Sequence, residues 1–212
     1  MSTLDLEEQE QLAAAKAWWG QYGNLVTLSA SVILLALAVW YGWNGYRNSR
    51  ALEAASLYET LQKAARANDL KATRDTSGMI LENFSGTTYG PLAALVSARV
   101  HFQSGDLKTA KAQLLWVTEN SSNEELKSVA RLRLANVLLD EASPEEALKV
   151  IALKPSPGFE ALYEALRGDI CLIQKKPGDA RTAYRAAIEK AGKNDAGLSE
   201  QLRRKIEALG EG

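Results

Sequence analysis

Side chains that act as nucleophiles or transfer protons near neutral pH are scarce, because the chain has one histidine, His101, and one cysteine, Cys171. A Cys–His or serine-based catalytic site needs a histidine beside the nucleophile, but both residues lie in apolar helical segments, where packing is the ordinary role. One histidine and one cysteine cannot complete a zinc site by themselves. Neither the G-x-G-x-x-G nor the G-x-x-x-x-G-K-[ST] nucleotide motif occurs. The sequence predicts a non-catalytic protein without cofactor or metal ion; the alternative is an enzyme whose site uses other side chains.

The elements that must position any binding surface begin with an uncharged stretch, residues 17–46. Within it, Leu25 to Val39 has the sequence LVTLSASVILLALAV. With the next four residues this run reaches about 20 residues, enough for a helix to cross the roughly 30 Å hydrocarbon core of a bilayer. Aromatic residues, which favour the headgroup region, flank the run on both sides: Trp18, Trp19, Tyr22, Trp40, Tyr41, Trp43 and Tyr46. The sequence predicts a transmembrane helix over residues 24–46, preceded by an acidic tail and interfacial segment, residues 1–23.

The apolar run fits a signal peptide, a lipoprotein anchor or a soluble core helix less well than a membrane span. A cleaved signal peptide has a basic start and small residues at the cleavage site, whereas this chain starts with Asp5, Glu7, Glu8 and Glu10 and leaves the run through bulky aromatic residues. A lipoprotein anchor needs a cysteine just after the run, and the only cysteine is Cys171. A helix in a soluble core would have an amphipathic face, and none can be drawn on this run.

The charges beside the run leave its orientation across the membrane ambiguous. Lys16 precedes the run, and Arg47, Arg50 and Lys63 follow it, so the positive-inside rule favours a cytoplasmic C-terminal domain. The rule is reliable for short loops, however, and a long folded domain crosses the membrane largely regardless of its charge. Charge therefore leaves both orientations open.

Residues 47–212 are long enough for one soluble domain with a substantial core. They contain nearly equal numbers of basic and acidic residues, so we expect no phosphate-binding surface and no nucleic acid partner. A single cysteine forms no internal disulfide. The core must therefore stabilise this domain.

Helix pairs that repeat are predicted for this domain. Small residues recur at matching positions in three successive pairs, first at Ala98, Ala135 and Gly168, and one helix later at Ala110, Ala147 and Ala180. Larger apolar residues stand four positions further on, at Leu114, Ile151 and Tyr184. The spacing is close to the period of about 34 residues of tetratricopeptide (TPR) repeats. The predicted fold is all-α, a transmembrane helix followed by a TPR-like helical-hairpin solenoid; the alternative is an ordinary helical bundle.

Capping signals mark the ends of the predicted helices. Ser122 with Glu125, and Ser143 with Glu146, match the S-x-x-E capping box, in which the serine accepts a hydrogen bond from the first turn. Pro144 stands at the first helical position after Ser143. Helices are therefore expected to begin just after these two serines.

Two further segments complete the predicted solenoid. Residues 49–67 and 73–84 form a degenerate helix pair before the three clear ones. The last helix has an apolar stripe, Leu198, Leu202, Ile206 and Leu209, opposite the basic residues Arg203, Arg204 and Lys205. A helix with one apolar and one polar face is expected to cap the open end of the stack.

The first helices of a TPR-like stack line a concave groove, and the repeat register predicts which side chains face it. The candidate partner-binding residues are those that follow the small crossing residues or lie one turn further on: Arg99, Phe102, Asn136, Leu139, Asp169 and Leu172. A mixed polar and apolar groove suits an extended or partly folded polypeptide. For Leu139 and Leu172 the alternative is packing in the core, whereas Phe102 is expected to be half exposed near a helix end.

Several segments, taken in order, resemble one known family. They are the acidic tail, the single span flanked by aromatic residues, and the segments TTYGPLAALVSARVHFQSGDLKTAKAQLLWV, LKSVARLRLANVLLD and LRGDICLIQKKPGDARTAYRAAI. Together they are similar to the YfgM family of bacterial inner-membrane proteins over nearly the whole chain. The resemblance implies an ancillary subunit of the SecYEG protein-conducting channel, with a cytoplasmic tail, a periplasmic repeat domain and association with PpiD, a membrane-anchored periplasmic chaperone.

The orientation that the resemblance implies is opposite to the one that charge favours. We follow the resemblance, because a large domain can override a small difference in basic residues. The resulting hypothesis is a non-catalytic membrane-tethered adaptor that links exported polypeptides to periplasmic chaperones. The alternative is a cytoplasm-facing TPR scaffold that docks chaperones or signalling proteins.

Overall fold

The computed structural model describes residues 4–192 and 195–210. Residues 1–3, where the predicted acidic tail begins, lie outside the described residues, as do residues 193, 194, 211 and 212. The described residues form nine α-helices and no β-strand: α1 (Leu4–Arg66), α2 (Leu70–Phe84), α3 (Tyr89–Gln103), α4 (Leu107–Asn120), α5 (Glu124–Asp140), α6 (Pro144–Ile151), α7 (Glu160–Ile173), α8 (Pro177–Ala191) and α9 (Ala196–Ala208). The all-α fold predicted from the sequence is confirmed. Contacts divide the chain into two units, Met1–Arg50 and Ala51–Gly212.

The first unit is formed by the N-terminal part of α1, which contains the uncharged stretch. Its large apolar side chains are exposed around the helix, among them Leu25, Leu35 and Trp40. Of the helices in the described residues, this is the one that is long and apolar enough to cross a membrane. An apolar surface without a polar face is stable in lipid rather than in water. The helix that contains residues 24–46 is therefore a candidate membrane span.

In the second unit, four helix pairs share one turn geometry. In the pair of α1 with α2, the Asp69 N–H donates to the Ala64 carbonyl (3.0 Å), and Asn68 has a φ angle of 53°. The other three, which we call the first, second and third pairs, are α3 with α4, α5 with α6, and α7 with α8. In each of their turns a backbone N–H donates back to a carbonyl of the first helix, from Asp106 to His101 (2.9 Å), from Ser143 to Leu138 (2.8 Å) and from Lys176 to Cys171 (2.9 Å). The residue before each donor has a positive φ angle, 83° at Gly105, 57° at Ala142 and 60° at Lys175. The four pairs are therefore structural repeats of one another.

The small residues predicted at the helix crossings, Ala98, Ala135 and Gly168, are all buried. The closest approach is in the third pair, where a Cβ atom on Gly168 would lie 2.3 Å from the ring of Tyr184. Tyr184 is fully buried at this crossing. Glycine is needed at this crossing because the residue opposite it is a tyrosine. The first and second pairs have an aliphatic residue, Leu114 or Ile151, at the matching position.

One of the predicted capping boxes is wrong and the other is incomplete. The residue that caps α5 is Asn123, whose side chain accepts a hydrogen bond from the Leu126 N–H (2.9 Å). Ser143 does precede α6, with Pro144 in the first turn, but its side chain makes no capping hydrogen bond. In the α5 segment the asparagine lies one position closer to the helix than Ser122 and is an equally strong N-cap residue.

The second pair is completed by a loop, because α6 has only eight residues and ends at Ile151. Ser128 of α5 holds this loop and the next helix in place. Its hydroxyl accepts a hydrogen bond from the Ser156 N–H (2.8 Å), and its carbonyl accepts one from the Tyr163 hydroxyl (3.2 Å). A side chain and a backbone group of one buried serine thus replace contacts that a longer second helix would make.

The core of the second unit is formed by three clusters of buried apolar residues. The largest joins α3 to α7 and includes Leu114, Leu134 and Ile170. A second cluster joins the C-terminal part of α1 to α2 and α3. The third joins α7, α8 and α9, and the apolar stripe of α9 packs into it, as a capping helix requires. Burial of this kind contributes about 25 cal/mol per Å² of apolar surface, so each cluster stabilises the helices that it joins.

Candidate binding groove

The first helices of the pairs line a groove with two clefts. We call the first the arginine cleft; it has a volume of about 220 Å³ and is lined by Ala98, Arg99, Phe102, Leu114, Arg133, Asn136 and Val137. Its floor is apolar and comes from buried residues of α3, α4 and α5. The rim carries two guanidinium groups and the ring of Phe102, which is 36% exposed. This cleft therefore combines positive charge with an apolar surface.

The electrostatics of the arginine cleft are dominated by Arg99 and Arg133. The Arg133 guanidinium donates a hydrogen bond to the backbone carbonyl of Leu95 (3.3 Å). Burial, and then the positive charge of Arg99, lower the pKa of Arg133. Across the part of the chain that the structure describes, neither arginine forms an ion pair with a carboxylate. The two positive charges thus face each other without compensation from the described part of the protein.

The second cleft lies between α5, α7 and α9 and has a volume of about 260 Å³. We call it the leucine cleft; its lining residues are Leu132, Asn136, Leu162, Ala165, Leu166, Asp169, Leu198, Gln201, Leu202 and Lys205. Leu162, which is 40% exposed, presents apolar surface to solvent. Asn136 lines both clefts, so the two clefts adjoin at this residue of α5.

The charged groups of the leucine cleft are satisfied by the protein itself. The Asp169 carboxylate accepts hydrogen bonds from the Tyr184 hydroxyl (2.6 Å) and the Lys205 ammonium (2.5 Å). The same ammonium lies 5.4 Å from the centre of the Tyr184 ring. Burial, together with the hydrogen bond to Asp169 and its negative charge, raises the pKa of Tyr184. Tyr184 is thereby held as a neutral hydrogen-bond donor to Asp169.

The structure brings four of the six predicted groove residues to these clefts. Arg99, Phe102 and Asn136 meet in the arginine cleft, and Asp169 lines the leucine cleft together with Asn136. Leu139 and Leu172 line neither cleft. Both are half-buried and pack against the core clusters, as the alternative interpretation of these leucines expects. Their aliphatic side chains gain more from apolar contacts than from exposure at the groove.

Sequence reasoning missed two charged groove residues, Arg133 and Lys205. Arg133 lies one helical turn before Asn136 and therefore on the same face of α5, whereas the predicted residues extend only toward the C-terminal end of each helix. Lys205 is predicted on the solvent face of the last helix, and this prediction is wrong. Its ammonium turns into the groove because the Asp169 carboxylate lies within hydrogen-bond distance.

His101 and Cys171 lie on different helix pairs, and both are buried. The Nδ1 atom of His101 lies 3.1 Å from the Asp106 carboxylate, at the turn between α3 and α4. Burial is the main cause that raises the pKa of the Cys171 thiol, which disfavours the reactive thiolate. Within residues 4–192 and 195–210, no group of three or more His, Cys, Asp or Glu side chains is placed to hold a metal ion.

Stacked helix pairs whose first helices line a groove define a TPR-like protein. The chain belongs to the tetratricopeptide repeat-like domain family, whose model matches residues 16–211. It is similar to proteins named ancillary SecYEG translocon subunit. The Escherichia coli K12 protein is 29% identical, with 95% of this chain and 96% of that protein covered. The Neisseria gonorrhoeae protein is 27% identical, with coverage of 96% and 98%.

A third relative with the same name, from Aggregatibacter actinomycetemcomitans, is 26% identical, with coverage of 88% and 91%. The resemblance to this family that the sequence predicts is therefore confirmed. No solved structure shows a significant match to the chain.

Proposed function

We propose that this protein is a membrane-tethered, non-catalytic TPR adaptor that acts as an ancillary subunit of a SecYEG-type translocon. The observation that carries the proposal is that relatives named for this role match the apolar helix and the helix pairs together, over nearly the full length of both chains. A match confined to the repeats would indicate only a binding domain, since TPR-like folds serve many partners.

The span supplies proximity in this proposal, and the groove supplies recognition. A helix that anchors the domain at the bilayer raises the effective concentration of weak contacts near the channel without any need for high intrinsic affinity. The groove has one cleft with an apolar floor and a cationic rim, and a second cleft lined by both polar and apolar groups, which suits the mixed surface of an extended exported polypeptide. We propose that the adaptor links such polypeptides to periplasmic chaperones such as PpiD.

Co-purification with the translocon tests the role of the span. Three forms are compared in mild detergent: the full chain, the chain without residues 1–46, and a chain in which residues 24–46 are replaced by an unrelated leucine-rich span. We expect the second form to lose most of its association and the third to keep most of it. Undiminished association of the form without residues 1–46 would contradict the proposal.

The proposed topology places the N-terminus in the cytoplasm and the repeat domain in the periplasm. A phosphatase that is active only in the periplasm, fused after Gly212, is expected to be active. The competing function, a cytoplasmic scaffold that docks chaperones or signalling proteins, is favoured by one observation, the basic residues Arg47, Arg50 and Lys63 that follow the span. An inactive fusion, together with an active cytoplasmic reporter at the same site, would establish the cytoplasmic orientation that this competing function requires.

Recognition by the groove can be tested by site-specific cross-linking in cells. A photoreactive amino acid at Phe102, at the rim of the arginine cleft, is expected to capture exported polypeptides and PpiD. The same amino acid at Arg185, an exposed position on α8 outside both clefts, is the matched control. Equal capture from both positions would mean that the groove does not select these partners.

A further inference from the structure

We propose that the arginine cleft binds the carboxylate of a glutamate or aspartate within an extended peptide, with a neighbouring apolar side chain packed on Phe102. This inference rests on the proposed function, in which the groove receives a polypeptide, and it names the chemical feature that the groove selects. The peptide class is therefore one with an acidic residue next to an apolar one.

The uncompensated charge is the main argument. Arg99 and Arg133 line one cleft, and among the described residues neither forms an ion pair. Within the same residues, the one hydrogen bond from either guanidinium runs from Arg133 to the Leu95 carbonyl. Each guanidinium has five N–H donors, so most of them are free to bind an anion. A carboxylate between the two groups would replace a repulsion by two charge-assisted hydrogen bonds.

The surroundings of the two arginines strengthen such a contact. Ala98, Leu114 and Val137 form a buried apolar floor beneath them. Arg99 and Arg133 are themselves exposed, so a peptide can reach both, and a carboxylate that packs against this apolar floor is less screened by water than one at an open surface. An arginine stays protonated in this setting, because its ordinary pKa is about 12.5 or above. The cleft is thus permanently cationic.

The size of the cleft indicates a side chain rather than a small-molecule cofactor. Its volume is about 220 Å³, whereas pockets for drug-sized ligands have volumes of about 300 to 1,000 Å³. An apolar floor with a cationic rim matches a glutamate, whose methylene groups are apolar and whose end is anionic. The half-exposed ring of Phe102 then offers a contact for the next apolar side chain.

The adjacency of the two clefts favours an internal acidic residue over the free C-terminus of a peptide. Asn136 lines both clefts, so a chain that fills the arginine cleft can continue toward the exposed Leu162 of the leucine cleft. Asp169 is already paired with Lys205 and Tyr184 there. The leucine cleft therefore adds apolar contact, and the selection for charge comes from the arginine cleft alone.

Binding of three peptides to the full chain in detergent micelles tests the inference. The first peptide has one internal glutamate among leucine and serine residues and both ends blocked, and the second has glutamine in its place. The third has the glutamine sequence with a free C-terminal carboxylate. By fluorescence anisotropy we expect the glutamate peptide to bind about tenfold more tightly than the glutamine peptide at low salt, since hydrogen bonds between two charged groups are stronger than those to a neutral amide by about this much.

Variants of the arginine cleft test whether its two arginines cause the preference for the glutamate peptide. Arg99→Gln and Arg133→Gln are each expected to reduce the tenfold preference to about threefold or less, with little change for the glutamine peptide. Arg185→Gln is the control, since Arg185 is exposed, lies outside both clefts and forms no ion pair among the described residues. Arg99→Lys and Arg133→Lys keep the charge and are expected to keep part of the preference.

A salt titration of the unaltered protein gives a readout that does not depend on any variant folding. The preference is expected to shrink as salt rises from about 20 to about 300 mM, because screening weakens charge pairs. The inference would be overturned if the preference for the glutamate peptide did not change with salt, or if it were unchanged in both Arg99→Gln and Arg133→Gln.

The remaining outcomes separate this inference from the proposed function. Equal binding of the glutamate and glutamine peptides would overturn the charge selection while leaving a peptide-binding groove. Tight binding of the third peptide alone would overturn it as well, because a chain end rather than an internal residue would then be recognised. Failure of all three peptides to bind would overturn both the selection and the groove's part in the proposed function.

Discussion

The first and third helix pairs share one backbone frame but treat charge in opposite ways. Arg99 and Asp169 both follow the small crossing residue of their first helix, and both face the groove. Asp169 is neutralised by Lys205 and by the Tyr184 hydroxyl. Arg99 has another arginine, Arg133, as its charged neighbour. A repeat therefore fixes where a side chain points, whereas the adjacent helix decides whether its charge is available to a partner.

The same comparison applies to the crossings and turns of the two pairs. The third pair needs Gly168 because its second helix carries Tyr184, and the first pair tolerates Ala98 at the matching position. The first pair has a capped turn with Asp106, and the third has Lys176 there with no side-chain cap. Substitutions at these positions test whether each pair depends on the particular residue at its own crossing and turn. The free energy of unfolding of the full chain in micelles is the common measurement.

The largest effect is expected for Gly168→Ala. The new methyl group would overlap the Tyr184 ring, and overpacking of a core costs about 1 to 3 kcal/mol, so we expect a loss near the top of that range. Gly178→Ala on α8, where a Cβ meets nothing within 4 Å, is the control and is expected to change stability by less than about 0.5 kcal/mol. In the double variant Gly168→Ala, Tyr184→Leu the two changes should compensate by more than about 1 kcal/mol; strict additivity would show that no close crossing exists.

Tyr184→Phe is expected to destabilise the protein by about 1.5 kcal/mol, because it removes a hydrogen bond to the Asp169 carboxylate. Tyr163→Phe, which removes a hydrogen bond to the neutral carbonyl of Ser128, is expected to cost about 1 kcal/mol or less. Urea denaturation measures both variants. If the two losses were equal, the charge of Asp169 would contribute nothing to the compensation in the third pair.

Asp106→Ala is expected to cost about 1 kcal/mol, since the carboxylate caps α4 through the Thr109 N–H (3.1 Å). Asp106→Asn keeps a capping oxygen and should lose less. Hydrogen bonds from Thr109, followed by the interaction with His101, lower the pKa of Asp106. A lowered pKa stabilises the fold above the unfolded pKa of about 3.9, and this effect is lost as the pH falls through the folded value.

The advantage of the unaltered protein over Asp106→Asn should therefore be present at pH 7 and shrink below about pH 4. Thermal unfolding of both forms across this range measures it, and a constant difference would contradict the assignment. In the third pair, Lys176→Asp introduces a cap at the equivalent position and is expected to add about 0.5 kcal/mol of stability.

Similarly small effects are expected at the positive-φ residues of the turns. Ala142 and Lys175 adopt φ angles of 57° and 60°, where the first pair has Gly105. Replacing either by glycine should stabilise the protein by about 0.5 to 1 kcal/mol, because glycine adopts this conformation without a steric penalty. Gly105→Ala should have the opposite effect. Melting temperatures rank the stabilities of these variants. If both glycine substitutions destabilised the protein, the entropy that glycine adds to the unfolded state would outweigh the strain that it removes from the turn.

The elements of the fold were largely predictable because they depend on neighbours along the chain. An uncharged run identifies a candidate span, and small residues such as Ala98 and Gly168 at a regular spacing identify crossings. The caps were less predictable, because Asn123 and Ser122 are both good cap residues one position apart. The residues that line the groove were predictable only at positions that follow the small crossing residues. Asn136 occupies such a position, whereas Arg133 precedes the crossing residue Ala135 and was missed.

The sequence by itself determined the candidate span, the repeating helix pairs and the direction in which Arg99, Asn136 and Asp169 point, since helix geometry turns spacing into a common face. Only the tertiary structure decided which of their charges are paired. Lys205 reaches Asp169 across 36 residues of sequence, and Arg133 meets Arg99 from a different helix pair. Such contacts depend on how helices pack, and no pattern along the chain encodes the distance between two side chains on separate elements.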